Sequence, residues 1–273
     1  MAIQLNIQIK GITKPPVWRR LLIPDSFDFR QLHYAIQLAF DWGNEHLYQF
    51  QKQAYSDGWC ISEPEEDGGM GFFSCESMPA KKINVRKFIE HRGLEKFVYV
   101  YDFGDDWIHQ ITVEQLTDEV LQLPCCLAGK GATPPENCGG PYNYEYLKEL
   151  KSKHKKTNEE LERLEWAFED YNMSDGEEDE NGRLQYEKPE DAGWRVFSIN
   201  AFDLDDINFG LENFHSFEET SDDFYYKEIK DDISEENIER FYDGDRTEFK
   251  LNNLSDDDMN ELINAIRKVI NKK

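Results

Sequence analysis

Aromatic residues make up 14% of this 273-residue chain, a content that indicates a folded protein with a substantial core. Acidic residues number 56 against 31 basic ones, and the net charge of −25 argues against general binding to a phosphate backbone. The chain has no apolar run of about 18 residues and no signal-peptide pattern at its start, so we expect a cytoplasmic protein that does not span a membrane.

The N-terminal residues predict two strands and a helix. Apolar and polar residues alternate over residues 3–9, and residues 17–23 predict a second strand that pairs antiparallel with the first. Asp28, with Gln31 three residues later, has the capping-box pattern that opens a helix, and apolar residues recur behind it at helical spacing. A third strand is predicted over residues 46–51. These elements favour a sheet covered by a helix.

The middle of the chain predicts a β-hairpin between helices. Residues 85–91 predict a short helix, and two strands follow over residues 97–103 and 106–113. Residues 123–141 are rich in Gly, Pro and Cys and predict a long structured loop, after which we expect a helix over residues 143–153. The predicted fold class is α+β, with a mixed, largely antiparallel sheet covered by helices and a helical C-terminal extension.

The hairpin loop carries a candidate site. With a two-residue loop Gly104-Asp105, Asp102 would lie opposite Trp107, and Asp102 and His109 would be diagonal neighbours on one face. A carboxylate beside an imidazole can orient a general base or share a metal ion. Alternatively, the Asp residues shape the turn and His109 is a half-buried polar side chain.

The C-terminal part is strongly acidic. We predict one domain over residues 1–214, interrupted by an acidic, solvated insertion at about residues 174–192. Residues 215–273 are predicted to form an acidic, mainly helical extension, in which Ser255 caps the clearest helix. The apolar stripe of that helix either docks on the main domain or mediates dimerisation, so the oligomeric state is left open.

Five sequence blocks occur in a specific order. They are KPPVWRRL at 14–21, LHYAIQ at 32–37, Trp42 with HLYQF at 46–50, YDFGDDWIH at 101–109, and GATPPENCGG at 131–140. In this order they resemble the plasmid pRiA4b ORF-3-like family, which is carried on plasmids, some transposons and many bacterial and archaeal chromosomes. The resemblance implies a shared fold over about residues 1–150 and says little about activity. The family's occasional resolvase label finds no support, since no serine lies among clustered arginines.

Histidines and carboxylates in these blocks are candidate metal ligands. The metal-ligand candidates are Asp102, Asp105, His33, His46 and His109, with Asp106 beside them. These residue types suit zinc or, through carboxylates alone, magnesium or manganese, so a divalent metal is the cofactor to be tested. The candidate catalytic residues are Asp102, His109 and Glu136.

Two further sets of residues are candidates for other roles. Cys125, Cys126 and Cys138 are candidate structural-zinc ligands, although the chain has no Cys-x-x-Cys pair and its five cysteines favour reduced, buried thiols. Arg19 and Arg20 are candidate nucleic-acid contacts, or alternatively internal ion-pair residues, since successive residues of a strand point to opposite faces.

Three classes of function remain open. The leading one is a non-enzymatic protein-interaction module of mobile-element or defence context, which binds a protein partner through its acidic face and C-terminal extension. The second is a metal-dependent hydrolase or nuclease that uses the Asp/His hairpin. The third is a nucleic-acid-binding or DNA-mimicking protein, although the net charge argues against direct binding of nucleic acid.

Overall fold

The structure, a computed structural model, describes residues 1–63, 77–173, 177–178, 184–185 and 189–221. The helix predicted from Ser255 and most of the predicted extension lie outside the described residues. No helix in the described ranges combines the length and the apolar character that a bilayer crossing needs.

One eight-stranded sheet organises the protein. Its strands are β1 (Ala2–Ile9), β2 (Trp18–Pro24), β3 (Tyr48–Gln51), β4 (Cys60–Ser62), β5 (Ser77–Pro79), β6 (Lys96–Tyr101), β7 (Trp107–Thr117) and β8 (Cys125–Lys130). The spatial order is β5-β4-β3-β6-β7-β1-β2-β8, and every pair is antiparallel except β4 with β5. Two short strands, β9 (Glu177–Glu178) and β10 (Leu184–Gln185), pair separately. The predicted α+β class with a mixed, largely antiparallel sheet is confirmed.

Helices accompany the sheet. They are α1 (Phe29–Phe40), α2 (Val85–Arg92), α3 (Gly140–Ser152), α4 (Asn158–Ala167), α5 (Gly193–Val196) and α6 (Leu204–Glu212), and residues 214–221 are also helical. Phe214 stacks on Phe27 with ring centroids 4.9 Å apart, and Glu218 accepts a hydrogen bond from Gln31 Nε2 at 3.0 Å. The predicted domain boundary near residue 214 stays a prediction.

Helix α1 begins where the capping box predicts. Asp28 Oδ1 accepts from the Gln31 amide at 2.9 Å, and Gln31 Oε1 accepts from the Asp28 amide at 3.3 Å. The apolar face is buried, and its members are Leu32, Ala35, Ile36, Ala39 and Phe40. Each large apolar side chain buried in this way contributes about 1.5–3 kcal/mol to stability. Asp41, in a left-handed conformation with φ 52°, ends the helix and directs the chain into the loop before β3.

The predicted long loop at 123–141 contains the edge strand β8, which pairs with β2. Asn208 on α6 covers this edge, because its side chain accepts from the Cys126 amide at 2.8 Å and donates to the Cys126 carbonyl at 3.0 Å. The sequence did not predict this strand because its Gly- and Cys-rich residues lack an alternating pattern of apolar and polar side chains. Its pairing depends on β2 and α6, which are distant in the sequence.

The predicted hairpin is present, but its register is wrong by one residue. Tyr101 pairs with Trp107 and Tyr99 with His109, so residues 102–106 form the loop. Asp102 and Asp106 both have left-handed φ angles, of 53° and 56°, and the Asp106 amide donates to the Asp102 carbonyl at 2.8 Å. Two left-handed Asp residues allow a longer loop than the Gly-Asp pair predicted.

Candidate metal centre

Three loops meet at one end of the sheet. They are residues 41–47 after α1, residues 102–106 between β6 and β7, and residues 131–139 before α3. Two buried indoles attach the third loop. Trp42 Nε1 donates to the Pro134 carbonyl at 3.0 Å, and Trp107 Nε1 donates to the Glu136 carbonyl at 3.0 Å. Glu136 is therefore fixed beside the other two loops.

The Glu136 carboxylate accepts hydrogen bonds from the loop that follows α1 and from the last residue of β6. Its Oε2 accepts from the Gly43 amide at 2.6 Å, and its Oε1 accepts from the Tyr101 hydroxyl. The Tyr101 hydroxyl in turn accepts from the amides of Glu45 at 2.9 Å and His46 at 3.2 Å. Burial, and then the hydrogen bond to Glu136, raises the pKa of Tyr101, so this hydroxyl stays a donor.

His46 is oriented by a chain of polar groups. Asn137 Nδ2 donates to Glu45 Oε2 at 3.2 Å, which directs Asn137 Oδ1 to His46 Nε2 at 2.7 Å. Because that oxygen is an acceptor, His46 Nε2 carries the proton and Nδ1 keeps its lone pair. Asp102 Oδ2 lies 3.7 Å from the same Nε2. The imidazole is thus held as in many metal sites, where the second ring nitrogen donates to an oxygen.

Glu45, His46 and Glu136 form a possible metal-ligand set. Each offers one ligand atom, and these atoms lie within 4.8 Å of one another. Ligand atoms around a tetrahedral zinc ion, each at about 2.1 Å from the metal, are about 3.4 Å apart, so the side chains need to close by up to about 1.4 Å when a metal binds. Within the described ranges, no Lys or Arg forms an ion pair with Glu45 or Glu136. The set therefore retains its negative charge.

Asp105 lies beside this set, but its carboxylate is hydrogen-bonded to the N-terminal end of α3. Its Oδ2 accepts from the amides of Gly139 at 2.9 Å and Gly140 at 3.0 Å, at the positive end of the helix dipole. The contact is close, because a Cβ added to Gly140 would lie 2.1 Å from the Asp105 carbonyl oxygen. Burial, followed by the charge of Asp102, raises the pKa of Asp105. Asp105 therefore joins the hairpin loop to α3.

His109 lies in the core, away from the three loops. It is fully buried, and its Nδ1 lies 2.9 Å from the Trp107 carbonyl, which makes Nδ1 the protonated nitrogen. Its ring packs edge-on against Phe40 and Trp42 at centroid distances of 5.0 and 5.4 Å. Burial lowers its pKa to about 3. No hydrogen bond or ion pair joins it to Asp102 within the described part of the chain, so the predicted diagonal pair is not formed.

His33 is also buried, beneath the loop that follows α1. The Tyr99 hydroxyl accepts from Gln37 Nε2 at 2.8 Å and lies 2.7 Å from His33 Nδ1, so it donates to that nitrogen. His33 Nε2 then donates to Asn44 Oδ1 at 2.7 Å. Burial lowers the pKa of His33 to about 3. His33 therefore supports the loop at Asn44, which has a left-handed φ of 59°, and is not part of the ligand set.

The cysteine candidates do not converge. Cys125, Cys126 and Cys138 are free thiols, and neighbouring Cys125 and Cys126 point to opposite faces of β8. None of them belongs to a ligand group in the described ranges. Burial raises the pKa of all three, which disfavours thiolates. The expectation that all five cysteines are reduced is wrong for Cys60, which is disulfide-bonded.

Both arginine candidates make contacts within the protein. Arg19 is buried and donates to carbonyl oxygens of Ala39 at 3.0 Å and Gly131 at 3.1 Å, so it does not offer a nucleic-acid contact. Arg20 lies on the opposite face and makes two hydrogen bonds, of 2.6 and 2.8 Å, to Glu114. The ion-pair alternative is confirmed for Arg20. Arg19 is surrounded by neutral acceptors.

The structure thus gathers His46, Asp102, Asp105 and Glu136 from the predicted candidates and separates His33 and His109 from them. Sequence reasoning missed Glu45, Asn137 and Tyr101. A signal was available, because Glu45 directly precedes His46 and Asn137 directly follows Glu136, both beside candidate residues in the recurring blocks.

Fold and site define an α+β protein in which three loops at one end of a largely antiparallel sheet gather carboxylates around one histidine. The chain belongs to the family described as "Plasmid pRiA4b ORF-3-like protein", whose profile matches residues 1–180. A curated relative, "Uncharacterized protein y4hQ" of Sinorhizobium fredii (strain NBRC 101917 / NGR234), is 32% identical over 144 residues, which cover 52% of this chain and 69% of the relative.

A solved structure shares the fold. It is the crystal structure of the protein of unknown function MM3350 from Methanosarcina mazei Go1, with a TM-score of 0.54 and 26% sequence identity. The match covers 75% of this chain and 96% of that one. The descriptions of these relatives assign no activity, so function has to be argued from the site.

Proposed function

We propose that this protein is a metal-dependent hydrolase that binds a divalent ion through Glu45, His46 and Glu136. The observation that carries the proposal is the convergence of one imidazole and two carboxylates within 4.8 Å. Mixed nitrogen and oxygen ligands suit zinc, manganese or iron(II).

Hydrogen bonds that orient the ligands support the proposal. Glu136 is fixed by Tyr101 and the Gly43 amide, and His46 is fixed by Asn137. In metal sites such partners set ligand orientation, and their loss typically lowers metal affinity about 10–100-fold. Glu136 still has a carboxylate lone pair for a cation, because an ionised carboxylate offers about four acceptor positions.

The local charge also favours a cation. Asp102 and Asp105 add two carboxylates beside the ligand set, and neither forms an ion pair with Lys or Arg in the described residues. Three protein ligands leave coordination positions for water and substrate, and a bound divalent ion lowers the pKa of its water toward about 7. Asp102, 3.7 Å from His46 Nε2, is placed to stabilise the imidazole as a ligand.

The test is metal content together with metal-dependent hydrolysis. Untagged protein purified without chelator is expected to carry about one equivalent of zinc, manganese or iron, because the set provides one site. His46→Ala should lose the metal, whereas His91→Ala, which removes an exposed histidine at the end of α2, should retain it. The rate of cleavage of p-nitrophenyl esters or of bis(p-nitrophenyl) phosphate should rise and fall with the metal content of the protein. Absence of metal from folded protein, even after incubation with each ion, would rule the proposal out.

The other expectations stay proposals. A protein partner, a mobile-element or defence context, a cytoplasmic location and DNA mimicry each rest on composition or resemblance. The metal-dependent class is preferred over the non-enzymatic interaction module because a specific ligand set supports it.

A further inference from the structure

A second cluster of charged groups lies around Trp194 on α5. The guanidinium carbon of Arg195 is 4.3 Å from the Trp194 ring centroid, Lys156 Nζ is 5.0 Å away, and Lys151 Nζ is 5.8 Å away. Lys151 also lies near the rings of Phe168 and Phe197, at 5.3 and 5.9 Å. We call Lys151, Lys156 and Arg195 the cationic cluster.

Among the described residues, no carboxylate forms an ion pair with the cationic cluster, although the chain has 56 acidic residues. Glu160 attracts Lys156, but its carboxylate is engaged by Lys153 Nζ at 2.6 Å. Pairing with a carboxylate would be the default for a cation in so acidic a protein. Three neighbouring cations that lack such a partner among the described residues are therefore a candidate anion-binding site.

The cluster members repel one another. Burial, followed by the positive charges of Lys156 and Arg195, lowers the pKa of Lys151 to about 8. Contact with an aromatic ring favours a single cation only weakly at an exposed site, which does not explain why three cations surround one ring. Lys156 has a structural role as well, because its Nζ donates to the carbonyls of Lys151 at 3.2 Å and Lys153 at 2.6 Å. Lys151 and Arg195 have no comparable polar contact among the described residues.

We propose that the cationic cluster binds a phosphate group, carried as inorganic phosphate or as a phosphomonoester. A guanidinium pairs with phosphate oxygens in a bidentate manner, and ammonium groups add point charges. A phosphate ester at neutral pH carries about 1.5–2 negative charges, which suits three neighbouring cations better than one carboxylate does. The site is distinct from the metal centre. Lys151 lies at the end of α3 and Asn137 lies before its start, so a helix of about 20 Å separates them.

Competitive amine labelling of the full-length protein tests this site. Lys151 is acetylated with a trace amount of reagent at pH 7 in the presence of sodium phosphate, O-phosphoserine or sodium chloride at equal ionic strength. The extent of its acetylation is then measured by mass spectrometry relative to that of the exposed Lys87. An anion in contact raises a lysine pKa by about one unit or more, which lowers the free-amine fraction and the labelling rate about tenfold. Protection by phosphate but not chloride is expected. Stronger protection by O-phosphoserine than by phosphate identifies an ester as the source, and equal or weaker protection identifies the free ion.

Variants separate specific binding from general screening. Arg195→Ala should remove most of the protection of Lys151. Arg92→Ala should not, although Arg92 also lies over aromatic rings, at 4.9 Å from Phe88 and 5.9 Å from Trp59. Equal protection by chloride, no protection by either phosphate compound, or protection that survives Arg195→Ala would overturn the proposal. Protection by a glutamate-rich peptide in the absence of any phosphate effect would also overturn it, in favour of an acidic polypeptide.

Discussion

The buried hydroxyl of Tyr101 donates a hydrogen bond to the carboxylate of Glu136. The Tyr101 ring stacks on Trp42 with centroids 5.4 Å apart, which fixes the direction of that hydroxyl. A strand of the central sheet therefore sets the position of a candidate metal ligand that lies 35 residues later in the chain.

Tyr101→Phe should weaken the metal centre. The variant removes one of the hydrogen bonds that hold Glu136 and leaves the His46 amide without its acceptor, so we expect metal affinity to fall about 10–100-fold and stability to fall by about 1–3 kcal/mol. Isothermal titration with zinc or manganese and urea unfolding measure the two effects. Tyr48→Phe is the matched control, because it also removes a buried hydroxyl but one that donates to Glu63 at 2.6 Å, outside the ligand set. Equal loss of affinity in both variants would contradict a specific role for Tyr101.

Substitution of the two histidines should separate structure from metal binding. His109 is fully buried among aromatic rings, so His109→Ala should lower the free energy of unfolding by about 2–5 kcal/mol and leave the metal content per folded molecule unchanged. The side chain of His46 is 31% exposed, so His46→Ala should lose the metal with little change in the free energy of unfolding. Chemical unfolding and metal analysis of both variants provide the measurement. Loss of metal in folded His109→Ala would restore the hairpin histidine as a ligand.

Stability should decline in mild acid because two histidines are buried in neutral form. The pKa of His33 and of His109 is about 3 in the folded protein, against an ordinary value of 6.5. Between these values the unfolded chain binds protons that the folded protein excludes. Stability is thus fully present above about pH 6.5 and is lost as the pH falls toward about 3, by up to about 1.4 kcal/mol per pH unit for each histidine.

Urea unfolding between pH 7 and pH 4.5 tests this linkage. His109→Phe should reduce the slope of unfolding free energy against pH, because it removes one of the two groups. His91→Ala should leave the slope unchanged, since His91 is exposed. A slope in His109→Phe that equals the wild-type slope would show that His109 takes up a proton as readily in the folded protein as in the unfolded chain.

The adjacent arginines should differ in their effect on stability. Arg19→Ala leaves buried carbonyl acceptors unpaired and should cost about 3 kcal/mol or more. Arg20→Ala removes a partly exposed surface pair with Glu114 and should cost at most about 1 kcal/mol. Thermal or chemical unfolding of the two variants checks the contrast. A small effect for Arg19→Ala would mean that water replaces the guanidinium at its acceptors.

The elements that sequence predicts well are those with local causes. The capping box at Asp28 and Gln31 marks the start of α1, and the alternation over residues 3–9 marks β1, because the interactions involved lie within a few residues. The hairpin register depends on the left-handed conformations of Asp102 and Asp106. Many residues can adopt such conformations only where the surrounding structure favours them, so the sequence predicted a loop that is too short.

The site is less predictable than the fold because distant loops build it. Glu45 and His46 precede β3, Asp102 follows β6, and Glu136 lies in a loop before α3. The pairing of β3 with β6 brings the first three together. Histidine and carboxylate types in the sequence indicated a metal site, but only the sheet order shows that His46 is at the site and that His109 is in the core.

The contact between Asp105 and the first turn of α3 would couple the proposed metal binding to folding. Its two hydrogen bonds close chain segments that are 34 and 35 residues apart, so they form only when hairpin and helix dock. Glu136, in the loop between them, reaches its ligand position in the same event. A bound ion would therefore act as a clamp on the docked state, and the free energy of metal binding would add to the stability of that end of the protein.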